Sequence, residues 1–204
     1  MALRSMNKYL YGEDHPYANP YTSSGYESTV ENLTRKDVVD FYNTWLKPNN
    51  ATLVVTGDVT MQELKSKLEN SLKNWKKGDV PNITFNEPKQ ASGNTLYLIN
   101  LPESQQTVII AGHLTEKYGD LNELAVEQMV SILGGEFTSR INMNLREDKH
   151  WAYGASGFVM NAQQERPFIL YAPVQTDKTA ESIVELKKEI EEFITSRLSN
   201  TGGA

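Results

Sequence analysis

Apolar positions along the chain fall into alternating helical and extended patterns. Val38, Phe41, Tyr42 and Trp45 recur at helical spacing and predict a helix that starts after Thr34 and ends before Pro48. Thr34 and Asp37 form a capping-box-like pair at its start, with Asp in place of the usual Glu. Ala51 to Thr56 is β-branched and apolar, which predicts a buried strand, and Gly57-Asp58 turns the chain. Thr60 and Glu63 make a second capping box ahead of the stripe Met61, Leu64, Leu68, Leu72 and Trp75. Further on, Leu96 to Leu101 alternates between two faces, and Thr107 to Ala111 is a second extended run. Asp120 and Glu123 cap a helix lined by Leu124, Ala125, Met129, Ile132 and Leu133, which Gly134 and Gly135 end. A short helix is expected from about Thr138 to Arg146, then strands over Tyr153–Met160 and Phe168–Val174. A last helix, capped by Thr176 or Asp177, carries Ile183, Leu186, Ile190, Phe193 and Ile194 inward. Hairpin-like strand pairs joined to helices predict an α+β fold: a two-layer mixed or antiparallel sheet with helices packed on one face.

Two stretches lack periodicity. Residues 1–30 are rich in Tyr, Ser, Gly and Pro, and Tyr11 to Tyr21 is expected to be an ordered loop whose rings pack down. So loop-rich a start suggests a chain entered partway through a domain. Residues 76–94, containing Lys-Lys-Gly-Asp-Val-Pro and Ser92-Gly93-Asn94, read as a linker. The expected organisation is therefore 1–75, a linker over 76–94, and 95–204.

Composition narrows the function classes. The 204 residues are 39 % hydrophobic and 23 % charged, with a net charge of −6. That balance suits a folded soluble domain and argues against nucleic-acid binding, because no Lys/Arg cluster interrupts the acidic surface. No apolar run is long enough to span a membrane, and the first residues have no signal-peptide core. Cysteine is absent, which excludes disulfides and cysteine-ligated zinc. A cytoplasmic and a bacterial periplasmic address suit that composition equally. Neither GxGxxG nor GxxxxGK[ST] occurs, so nucleotide-binding readings have no support.

Only three histidines are present, His15, His113 and His150, and no two are close in sequence. A hydrolytic zinc site usually needs three protein ligands and an open position for water. His113-Leu114-Thr115-Glu116-Lys117 imitates a zinc-binding HxxEH, but a lysine ammonium closes it. No GxSxG nucleophile elbow is present. The segment from Leu133 to Ser156 stands out. Its double glycine can turn the backbone sharply, Arg146 ends a helix, and Tyr153 opens a strand seven residues later. An Arg fork can bind a carboxylate or peptide carbonyl, and a Tyr hydroxyl can donate to an oxyanion. The simpler alternative pairs Arg146 with Glu147 or Asp148 and leaves Tyr153 merely packed.

That segment, Leu-Gly-Gly-x-Phe-x-Ser-Arg-x-x-x-x-Leu-Arg-Glu-x-x-x-x-x-Tyr-Gly-Ala-Ser over 133–156, resembles the signature early in the second domain of insulinase/pitrilysin-type zinc peptidases, the group of the mitochondrial processing peptidases and related bacterial enzymes. His15-Pro16-Tyr17, the Thr34–Asp37 helix start and Lys47 to Val59 resemble the end of that family's first domain, and Val174 to Thr179 resembles its next strand-to-helix junction. The resemblance implies a clamshell of two α+β domains around a peptide or unfolded protein substrate. It implies zinc in the parent protein, with ligands and general base upstream of His15 and neither cofactor nor metal ligand in this chain. It also implies that Arg146 and Tyr153 hold substrate and assist the oxyanion, while Gly134 and Gly135 are structural. This chain is then a non-catalytic, peptide-enclosing segment whose partners are the rest of the parent and, through open sheet edges, a second copy of itself. The alternative is an inactive scaffold subunit. His150 and Trp151 depart from the family, which often has glycine and a small or aromatic residue there.

Overall fold

The computed structural model describes residues 2–89, 93–119 and 122–200. In chain order the α-helices are α1 (Ala2–Tyr11), α2 (Glu27–Asn32), α3 (Arg35–Trp45), α4 (Met61–Leu72), α5 (Glu123–Val130), α6 (Arg140–Asn142) and α7 (Thr179–Asn200). The strands are β1 (Gln106–Thr115), β2 (Ser156–Val159) and β3 (Arg166–Gln175). The chain forms two compact units, one of residues 25–84 and one that joins 1–24 to 85–204. Residues 1–24, expected to group with those up to 75, thus pack with the later part of the chain. The stretch read as a linker over 76–94 is shared between the units at 84 and 85.

The unit of 1–24 and 85–204 is built on an antiparallel sheet of order β1-β3-β2. β3 is central because it can be buried on both faces: Phe168, Leu170, Ala172 and Val174 point one way and Ile169 the other. On the first face, Leu133, Ile141, Leu145, Leu186 and Phe193 close the main core. On the other face Leu10 and Tyr11 of α1 pack against Leu114 and Ile169. The α+β class and the antiparallel sheet agree with the sequence pattern, and α1 adds a helix on the second face. This helix was hidden in the loop-like composition of residues 1–30. The rings that follow it do pack down as expected. Tyr11 stacks on His15 at 4.8 Å, and Tyr17 meets both His15 and Phe85. Tyr11 Oη donates to the Glu165 carbonyl at 2.7 Å, and burial raises the pKa of its hydroxyl.

In residues 25–84 the local signals are obeyed. Both capping boxes, Thr34 with Asp37 and Thr60 with Glu63, are formed. Two predicted strands are absent. Ala51–Thr56 and Leu96–Leu101 have no ladder partner among the described residues, and Val54 and Leu98 are 80 % and 88 % exposed. An extended β-branched run becomes a strand only when a neighbour takes up its backbone donors and acceptors. No residue of 25–84 is buried, although α3 and α4 keep the apolar stripes of core helices. Asp120, expected to open the third capping box, lies outside the described residues.

His150 adopts a left-handed backbone with φ 56°. A side chain there costs free energy that glycine avoids, but His150 Nδ1 also donates to the Arg146 carbonyl at 3.0 Å. His150→Gly is expected to stabilise the chain by about 0.5 kcal/mol, and His150→Ala, which keeps the strain and loses the bond, to destabilise it by about as much. Urea midpoints of the two variants on either side of the parent's would establish the order.

Candidate functional site

The chain passes from α5 through a π-helical turn over Ser131–Gly135, then α6, then a second π-helical turn over Met143–Asp148. The expected helix over 138–146 therefore exists, mostly in the wider form. It is held onto α7 by a polar row. Arg140 Nε donates to Glu189 at 2.8 Å, and Asn144 Nδ2 donates to Glu185 and Glu189 at 2.9 and 2.8 Å. The Asn144 hydrogen bond, with Lys149 nearby, lowers the pKa of the Glu185 carboxyl. Gly134 is required by space and not by turning, since neither Gly134 nor Gly135 has positive φ. A Cβ on Gly134 would lie 2.4 Å from the Gly157 nitrogen of β2.

This frame presents Arg146 at the surface between two rings. Its Cζ lies 4.6 Å from the Phe137 ring centroid and 5.5 Å from that of Tyr153. The structure thus brings together the two residues singled out from sequence and adds Phe137. Tyr153 is 85 % exposed, so it is not a packing residue. Arg146 Nε also pairs with Glu147 at 3.3 Å, as the simpler reading of the sequence allowed. The turn between Arg146 and Tyr153 is tied to β3, where Gln175 N donates to the Trp151 carbonyl at 2.9 Å and Gln175 Nε2 to that of His150 at 3.0 Å. Beneath the rings, the buried Asn142 donates from Nδ2 to the Phe137 carbonyl at 2.7 Å and accepts from Ala155 N at 3.0 Å. Neither Phe137 nor Asn142 was singled out from sequence. The aromatic position nine residues before Arg146 was visible, but its ring–guanidinium contact depends on the fold.

Rings against its faces leave a guanidinium's N–H edges to a carbonyl or carboxylate, and here Glu147 already pairs with the Nε edge. Beside it, Tyr153 Oη can donate a hydrogen bond. The described residues do not fit a zinc site. Among the described residues no group of three or more His, Asp or Glu could hold a metal. His15 Nδ1 accepts from Tyr17 N, and His113 sits on β1 with Nδ1 against the Leu114 carbonyl. Lys117, the position that breaks the HxxEH pattern, pairs with Glu165 at 3.5 Å. Among the described residues no helix is long and apolar enough to cross a membrane.

A family model described as the peptidase M16 inactive domain matches residues 32–201. The zinc protease PqqE of Helicobacter pylori is 29 % identical over 179 residues, which cover 86 % of this chain and 39 % of that protein. The chain therefore spans about two fifths of that relative's length. The crystal structure of a peptidase M16 inactive domain from Pseudomonas fluorescens superposes with a TM-score of 0.82 at 21 % identity, over 93 % of this chain and 45 % of that one. A protease structure from Helicobacter pylori gives 0.77 at 21 % identity, over 98 % and 51 %. At that identity the two structures show a shared fold.

Proposed function

Because the chain belongs to the peptidase M16 family through its inactive domain, we propose that it helps enclose and position a peptide for a zinc peptidase whose metal ligands and general base lie upstream of His15. In this reading the order of sequence blocks assigns residues 1–75 to the end of one parent domain and 95–204 to the start of the next, joined through 76–94, while within this chain 1–24 pack with 85–204. The observation that carries this reading is the Arg146 guanidinium held between Phe137 and the exposed Tyr153. In that geometry Arg146 binds a backbone carbonyl of an extended peptide, and Tyr153 Oη donates to the oxygen that gains charge during hydrolysis. The unburied apolar stripes of α3 and α4 support the same view, since such faces belong in a core that other segments complete. Zinc, when bound in the parent, polarises the scissile carbonyl and activates water. This chain contributes orientation and a donor.

A second reading, an inactive scaffold subunit, is favoured by the Arg146–Glu147 pair, which occupies the guanidinium edge that a peptide would need. The upstream sequence separates the two: an intact His-x-x-Glu-His with a later glutamate supports the peptidase, and loss of any ligand supports the scaffold. For the chain itself, elemental analysis is expected to give no stoichiometric zinc, and mixed unstructured peptides are expected to bind weakly without chelator-sensitive cleavage. Tyr153→Phe should weaken that binding by roughly fivefold, the size of one hydrogen bond. Bound zinc with chelator-sensitive turnover that survives Arg146→Ala would overturn the reading.

A further inference from the structure

We propose that Phe137 is an additional peptide-contacting residue that selects an apolar side chain, and that Asn142 is the positioning residue that holds both rings on Arg146. The proposal rests on the reading of the Arg146–Tyr153 cluster as a peptide site. Phe137 is 58 % exposed and lies outside both core clusters, so burial does not account for a large apolar ring at this place. One part of the ring flanks the guanidinium at 4.6 Å, and much of the remainder faces solvent beside the groups that would take a peptide carbonyl. An extended peptide bound through its backbone to Arg146 would place a side chain against that ring. Contact with an apolar or aromatic side chain removes apolar surface from water, and a polar side chain gains nothing there.

Asn142 explains why the rings stay in place. It is 5 % exposed and uses both ends of its amide. Its Nδ2 fixes the carbonyl of Phe137, and its Oδ1 fixes the amide of Ala155, two residues after Tyr153. It stands one helical turn before Arg146, so a single side chain ties the helix bearing the guanidinium to both ring-bearing segments. Asn142→Asp would keep an acceptor for Ala155 N but set a carboxylate oxygen against the Phe137 carbonyl, freeing the Phe137 side only.

The test titrates the 204-residue chain with two blocked, unstructured peptides that differ only in one central Phe or Ser, followed by proton–nitrogen NMR. The Arg146 Nε–H should resonate upfield in the free chain because of the flanking rings. The Phe peptide should bind roughly fivefold more tightly than the Ser peptide, as expected for one exposed ring contact. Phe137→Ala should abolish the preference and move the Arg146 Nε–H downfield while the backbone amides away from residue 137 and Arg146 stay in place, and Phe137→Tyr should restore both. Asn142→Asp should move the Arg146 Nε–H downfield and halve the preference or more, which a loss of global stability alone would not do. A Phe137→Ala chain that keeps the preference overturns the proposal, as does an Asn142→Asp chain with an unmoved Arg146 signal. If Asn142→Asp does not fold, the two Phe137 variants decide. Equal binding of both peptides by the parent and by Arg146→Ala would instead sink the peptide-site reading itself.

Discussion

Gly134→Ala is expected to destabilise the chain by about 3 kcal/mol, at the upper end for overpacking. The added Cβ would meet the nitrogen of Gly157 at 2.4 Å and its Cα at 2.7 Å, with Ile141 Cδ1 at 2.9 Å. The first two atoms belong to a backbone paired to β3 through Gly157 and Leu170, so no side-chain rotation relieves the clash. The helical layer would have to lift from the sheet above Leu170, which is itself buried. Gly135→Ala is the control, because its nearest neighbour is the Val130 carbonyl oxygen at 3.1 Å and a small shift suffices. Its cost should stay near 1 kcal/mol. Urea unfolding of the two variants tests the contrast, and equal midpoints would show that the approach of helix to strand is not tight. Because Gly134 lies three residues before Phe137, the same variant should also displace the ring from Arg146.

Glu123→Gln is expected to be the second large loss, and larger than that from Arg166→Met. Arg166 is 3 % exposed at the start of β3, where Nε donates to the Glu116 carbonyl at 3.0 Å and the two terminal nitrogens donate to Glu123 at 2.8 and 2.9 Å. Removing the carboxylate leaves an interior charge with a weaker acceptor, whereas removing the guanidinium takes the charge away and leaves Glu123 partly in water. The hydrogen bond from Arg166 lowers the Glu123 pKa below its ordinary 4.5. A lowered folded-state value means that the stabilisation is complete above that ordinary pKa and is lost as the pH falls through the folded one. The parent should therefore lose stability on acidification below about pH 4.5 more steeply than Glu123→Gln does. Parallel slopes, or a Glu123→Gln midpoint above that of Arg166→Met, would contradict the assignment.

What could be read from sequence was local. The two capping boxes at Thr34 and Thr60 need only residues three apart, and both formed. β3 was readable because a strand buried on both faces is continuously apolar. Ala51–Thr56 and Leu96–Leu101 carry the same composition but no ladder, because pairing belongs to two segments and composition to one. α1 was missed because its inward residues, Met6, Leu10 and Tyr11, are few and run into a Tyr- and Pro-rich loop. At the candidate site, the spacing of Arg146 and Tyr153 was legible. Phe137 joins them only because a glycine lets the helix approach β2 and an amide bridges two loops, neither of which leaves a periodic trace.

The π-helical turn over Met143–Asp148 makes the direction of Arg146 a matter of residue count. A π-turn is an α-helix with one residue too many, accommodated as a bulge. Deleting a single residue there would let the segment relax to ordinary α geometry, which shifts the residues inside the bulge, Arg146 among them, around the axis while the flanking segments keep nearly their register. The guanidinium would leave the slot between its rings without any change in its own identity. Length variation in this stretch is thus a simple way for related chains to keep the arginine and yet aim it elsewhere.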